Sequence, residues 1–219
     1  MRIRVTPQNI DAVIRILKRT VRQWKVPVVG HYRADPFTTL ISCILSLRTK
    51  DATTHAASER LFALARTPQD MLKLTPAQIE RAIFPVGFYR TKARGILSIC
   101  RQLMERYGGR VPDDLDELLM LPGVGRKTAN LVITLAFNKY GICVDTHVHR
   151  ITNRWGYVRT KTPDETEMAL RKILPRRHWR IINDLLVAFG QNLCVPVSPW
   201  CSRCPLRDYC ARAGVTTSR

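Results

Sequence analysis

Long apolar runs are missing from this sequence. Nowhere do its 219 residues approach the ~20 consecutive apolar positions a helical membrane span needs, which excludes that class. The first ten residues, MRIRVTPQNI, lack the apolar core of a secretory signal, so the expectation is an intracellular protein with no targeting signal. Acidic residues are scarce: 17 Asp and Glu stand against 36 Lys and Arg, a formal net charge of +19. An excess on that scale goes beyond what solvation requires and points to a polyanionic partner, nucleic acid before acidic membrane. Sustained period-two alternation is absent too, and with it the signal for strands. Low-complexity segments and internal repeats are not found.

What is present reads as all-α. A capping residue followed by proline recurs at Thr6-Pro7, Asp35-Pro36, Thr67-Pro68, Thr75-Pro76 and Thr162-Pro163. Thr or Asp can accept from the orphan N–H groups of a helix start, and proline fits the first helical position. The first helix shows Ile10, Val13, Ile14, Leu17, Val21 and Trp24 at helical spacing. Residues 26–35 read as a connection, 36–47 as a buried helix, and 51–65 as a helix capped by Asp51. Short helices are expected at 68–73 and 76–83, then a turn at 84–89 and a long helix at 91–107 ending on Gly108-Gly109. Two more, 163–174 and 176–192, lead to the C-terminal region.

The segment LPGVGRKTANLVITLAF (121–137) carries the first chemistry. A short helix over 113–120 precedes Gly123, Val124 and Gly125, which form a tight hairpin. Ala129, Val132, Ile133, Ala136 and Phe137 give the following helix one buried face. Glycines bring the backbone close to a ligand, and uncapped N–H groups at a helix start bind anions. Lys127 lies in that first turn beside Arg126. The helix dipole and Arg126 both disfavour further positive charge there, which favours a free, nucleophilic amine; a plain phosphate contact is the other reading. Asp145 follows at the head of another helix, where it is a good N-cap for Val148, Ile151, Thr152 and Trp155.

Three of the seven cysteines, Cys43, Cys100 and Cys143, are scattered on apolar segments and read as core. The others crowd together as Cys194, Cys201, Cys204 and Cys210, spaced C-x6-C-x2-C-x5-C. In a reducing compartment that spacing predicts a metal site rather than disulfides. Ligand count alone suggests four-thiolate zinc, with an iron–sulfur cluster as the alternative.

The hairpin LPGVGRKTAN, the element VDTH and the cysteine tail, in that order, resemble the endonuclease III family of DNA glycosylase/AP lyases. The resemblance runs from Asp35-Pro36 to Cys210. It implies that Lys127 displaces a damaged base from C1′, forms a Schiff base and cleaves the strand by β-elimination. Asp145 would stabilise positive charge on the sugar and assist the proton transfers. The loop before it, NKYGICVD, has Gly141 but no proline, where relatives often have a Gly/Pro-rich loop. For the four cysteines the resemblance implies a [4Fe–4S] cluster in place of zinc, with Arg203 and Arg207 as candidate phosphate contacts on its loop.

The same resemblance assigns two loops, 47–51 (LRTKD) and 86–90 (VGFYR), to the space left when the target nucleotide leaves the stack. Val86, Gly87 and Phe88 would form the wedge, with Phe88 where relatives commonly carry leucine. Arg48 replaces a usual glutamine and could read a guanine edge or bind a phosphate. The implied architecture has two lobes: a helical barrel over 30–138, and an iron–sulfur domain from 1–29 with 139–219. Lys127 and Asp145 would stand on opposite walls of the cleft. The implied partner is duplex DNA bearing damaged pyrimidines or abasic sites, bound by a monomer at a prokaryotic nucleoid. Two other readings compete. A monofunctional adenine or thymine mismatch glycosylase is disfavoured by Lys127 and by Cys43, which stands where adenine-removing relatives need a glutamate. A non-catalytic helix-hairpin-helix binding module leaves the Lys127/Asp145 pair without a reason.

Overall fold

Helix starts follow largely from local chemistry. The computed structural model describes residues 4–24 and 35–219. Within them Asp35, Thr67, Thr75 and Thr162 each cap a helix that opens on proline. In every case the side chain accepts the N–H of the third residue on, a contact worth about 1 kcal/mol. Thr75 and Gln78 complete a reciprocal capping box.

The fifth expected pair behaves otherwise. Asn9 Oδ1 accepts the Thr6 N–H at 2.8 Å, a turn occupies 7–9, and helix α1 begins only at Ile10 (Ile10–Val21). Asp51 is also displaced from its expected role: Lys50 holds the cap position and Asp51 lies in the first turn, where its charge suits the dipole.

The described residues are all-α and contain no strand. After α1 come α2 (Pro36–Ser46), α3 (Asp51–Leu64), α4 (Pro68–Met71), α5 (Pro76–Ile83), α6 (Tyr89–Tyr107), α7 (Leu115–Leu119) and α8 (Arg126–Ala136). Then follow α9 (Thr146–Trp155), α10 (Pro163–Ile173) and α11 (Ile182–Asn192). The expected connection over 26–35 lies, Asp35 apart, outside the described residues. Contacts divide the chain into two compact units, Met1–Pro27 with Ile142–Arg219, and Val28–Gly141.

In the continuous unit α2 is the axis. It carries no charged side chain, Phe37 through Leu45 are all buried, and α3, α6 and α8 pack around it. Each Leu or Ile fully buried there contributes about 1.5–3 kcal/mol. Helix α6 starts two residues before the expected 91, at Tyr89, and Gly108 ends it in the left-handed region.

The discontinuous unit packs α11 against α9 and α1 around Trp155 and Phe189. Here the expected helix over 176–192 is broken. Residues Arg176–His178 form a 3-10 turn, and α11 starts at Ile182. One local and one tertiary bond hold the break: the Trp179 indole N–H donates to Leu174 O at 2.8 Å, and His178 Nε2 meets Asp11 Oδ1 at 2.6 Å.

Candidate active site and nucleic-acid interface

In the continuous unit the hairpin joins α7 to α8. Asp114 opens α7 by accepting from the N–H groups of Asp116 and Glu117. Leu121 and Val124 then turn inward, 2% and 6% exposed, and Gly123 between them takes a φ of 75°. Gly125 is extended, and no side chain caps α8. Val124 is therefore a core side chain, and any contact it makes with a ligand is through its backbone. Arg126 is half-buried and Lys127 exposed, and among the described residues no carboxylate pairs with Lys127. The Lys127 charge acts on Cys43 of α2, whose thiol burial pushes up to about 12 while the lysine draws it back.

Gly141 explains how the loop after α8 closes without proline. A Cβ there would lie 2.9 Å from Asn130 Oδ1 and 2.9 Å from Thr134 Oγ1, so only glycine lets the loop lie against α8.

Two further loops of this unit meet each other. Arg48 and Phe88 both adopt left-handed backbone, at φ 54° and 59°. The Arg48 guanidinium lies 5.0 Å from the centroid of the Phe88 ring, which is 60% exposed. Gly87 donates its N–H to Thr49 Oγ1 at 3.2 Å, and a Cβ on it would strike Arg48 O at 2.7 Å. Val86, expected among the outward residues, is 1% exposed and anchors the turn in the core. Behind both loops stands Lys92 of α6, buried, with Nζ donating to Leu45 O (2.8 Å), Leu47 O (2.6 Å) and Thr49 Oγ1 (3.3 Å). Burial brings its ammonium down to about 8.

In the discontinuous unit Asp145 caps α9. Its Oδ1 accepts from the His147 and Val148 N–H groups, both at 2.9 Å, and the carboxylate is half-buried. The far end of α9 reaches the cysteine loop. Arg150 donates to Cys194 O at 2.9 Å; Arg154 donates to Val195 O at 2.8 Å and Pro196 O at 2.6 Å, and meets Cys194 Sγ at 3.4 Å.

All four cysteines, Cys194, Cys201, Cys204 and Cys210, are free and line a single cavity with Trp155, Phe189 and Leu193. Burial first, and then the neighbouring cysteines, push the Cys204 thiol up to about 12; Cys210 is raised for the same reasons. Four free thiols lining one cavity are a donor set that suits a metal centre, and an iron–sulfur cluster takes four such ligands. Donors from the chain also suit it, since Arg154 and the Arg212 N–H reach Cys194 and Cys210 sulfurs. Arg203 and Arg207 are exposed on the same loop, Arg203 stacked 4.2 Å from the Trp200 ring centroid.

Residues 41–176 match the family model of the HhH-GPD superfamily base excision DNA repair proteins, a span running from α2 through α10. The chain belongs to that superfamily. Endonuclease III of Thermotoga maritima is 52% identical to this HhH-GPD protein over 181 residues, 83% of this chain and 85% of the relative. Endonuclease III-like protein 1 of Gallus gallus is 46% identical over 177 residues; the match covers 80% of this chain but 63% of that longer relative. A solved non-covalent endonuclease III–DNA complex superposes with a TM-score of 0.85 at 38% identity, covering 95% of this chain and 96% of that one. A trapped endonuclease III–DNA covalent intermediate, an estranged-adenine complex, gives 0.83 at 37%, covering 95% and 97%.

Within the family match lie the hairpin, Lys127, Asp145 and both loops, whereas the cysteine loop follows it. Sequence reading missed Lys92, Arg150 and Arg154. The two arginines left a trace, an i,i+4 spacing on a helix otherwise apolar on its inner face. Lys92 left none, because its acceptors lie more than 40 positions away.

Proposed function

We propose that this base excision repair protein is a bifunctional DNA glycosylase/AP lyase acting on oxidised pyrimidines, such as thymine glycol, in duplex DNA. The observation that carries the reading is Lys127: an exposed amine, with no carboxylate partner among the described residues, in the first turn of an uncapped helix. Its Nζ attacks C1′, the glycosidic bond breaks and the base leaves with its electron pair and a proton. Loss of the amine proton and opening of the sugar give an imine between Nζ and C1′. A proton is then taken from C2′, the C3′–O3′ bond breaks by β-elimination, and water releases Lys127. Asp145 supplies the negative charge that steadies the developing cation and takes part in the proton transfers. Its cap uses Oδ1 for both backbone bonds and leaves Oδ2 for that task. Kinship with endonuclease III, one relative of which is known as a trapped covalent DNA intermediate, supports the covalent route.

Cys194, Cys201, Cys204 and Cys210 would hold a [4Fe–4S] cluster, which supplies four thiolate–iron bonds that fix the loop. Arg203 and Arg207 then meet phosphates from a rigid frame, and Arg126 with the hairpin backbone meets them at α8. Arg48 and Phe88 fill the space of the extruded nucleotide. The protein works as a monomer in the cytoplasm, on nucleoid DNA. Borohydride trapping on a duplex with one abasic site tests the reading: a covalent adduct is expected from wild type and none from Lys127→Ala. An adduct of equal yield from the variant would assign the chemistry to another amine.

A further inference from the structure

The charge of Lys92 is unusual among the buried groups of the continuous unit. Its amine makes three hydrogen bonds and, among the described residues, pairs with no carboxylate. Two of its acceptors, Leu45 O and Leu47 O, are carbonyls at the C-terminal end of α2, where orphan acceptors and the dipole welcome a cation. The third, Thr49 Oγ1, is itself the acceptor for the Gly87 N–H. A continuous chain thus runs from Lys92 through Thr49 to Gly87, between the residues that flank it, Arg48 on one loop and Phe88 on the other.

Both flanking residues hold left-handed backbone without being glycine, a conformation that surroundings must impose. A Cβ at position 87 would strike the Arg48 carbonyl, so glycine is what lets the two backbones lie this close. Phe88 keeps its exposed ring under the Arg48 guanidinium. The Thr49 hydroxyl adds a hydrogen bond that ties one loop to the other.

We propose that Lys92 is a positioning residue: through Thr49 and Gly87 it locks the two loops in register, so that Arg48 and Phe88 are presented to DNA as one preformed pair. The inference rests on the reading of those loops as the DNA-inserting ones. A preformed pair avoids ordering two loops at the moment of binding, so its loss weakens binding and leaves chemistry at Lys127 alone.

Two measurements test it on the whole protein. Hydrogen exchange at the Gly87 amide should quicken about tenfold or more in Thr49→Val and Lys92→Met, and stay near wild type in Thr49→Ser, which keeps the hydroxyl. Excision from a thymine glycol duplex should show KM raised about three- to tenfold in Thr49→Val, the scale of one lost hydrogen bond. Its kcat should stay within about twofold, and Thr49→Ser should restore KM. Should Lys92→Met fail to fold, the Thr49 pair carries the test, since it removes the link without touching the buried amine. Gly87 exchange unchanged in Thr49→Val would overturn the link, and faster exchange with KM unmoved would overturn the positioning role. A wild-type protein unable to excise any lesion would instead defeat the functional reading, and amide exchange would then decide the Lys92–Thr49–Gly87 link by itself.

Discussion

At the residue scale the site asks single side chains to do two jobs. Asp145 both caps α9 and carries the charge proposed for catalysis, and the two can be separated. Asparagine caps as well as aspartate, so Asp145→Asn should shift thermal unfolding by only a few tenths of a kcal/mol while single-turnover excision falls about 10²-fold or more. Equal activity in the variant would leave Asp145 as a cap and nothing else. Arg48 poses a different question. Under the proposed function the exposed guanidinium, held over Phe88, would meet a guanine edge bidentately. Excision opposite G relative to opposite A should therefore fall in Arg48→Gln; an unchanged ratio removes the idea. At Cys43 the structure supports the core reading, since the thiol is fully buried and α2 offers no carboxylate beside it.

Among the elements, what sequence made legible is what local chemistry decides. Four Thr/Asp-Pro starts, the Gly108 helix end and the hairpin between α7 and α8 depend on residues a few positions apart. Thr6 and the 176–181 break were not legible in that way. Asn9 accepts the Thr6 N–H and closes a turn ahead of the helix, and the break is imposed by a contact from far along the chain. Val86 and Val124 show what a turn signature leaves out: both side chains face the core. The α1 attachment yields an acid prediction. Hydrogen bonds from Arg177 and then His178 hold the Asp11 carboxyl down to about 2, against an ordinary 3.8. A lowered carboxylate contributes stability above its unfolded value and loses it as pH falls through the folded one. The melting-temperature gap between wild type and Asp11→Asn should thus be full at pH 6 and close between pH 3.8 and about 2. A gap that persists below pH 2 would mean the Arg177 contact is not electrostatic.

For the whole molecule, a net charge of +19 makes DNA affinity a function of salt. Each phosphate neutralised contributes about −0.9 to the slope of log K against log salt. Arg203→Ala and Arg207→Ala should each lower the slope by about 1 if those side chains meet phosphates from the cysteine loop; an unaltered slope returns them to solvent. The chain's topology has its own bearing on how the protein comes into being. Helix α1 belongs to the discontinuous unit, and its Asp11 bonds Arg177, 166 positions later. At a synthesis rate of 5–20 residues per second, that partner leaves the ribosome roughly 8–30 s after Asp11. Throughout that interval Ile10, Val13, Ile14 and Leu17, all buried once folding is done, form a greasy stripe with no cover of their own.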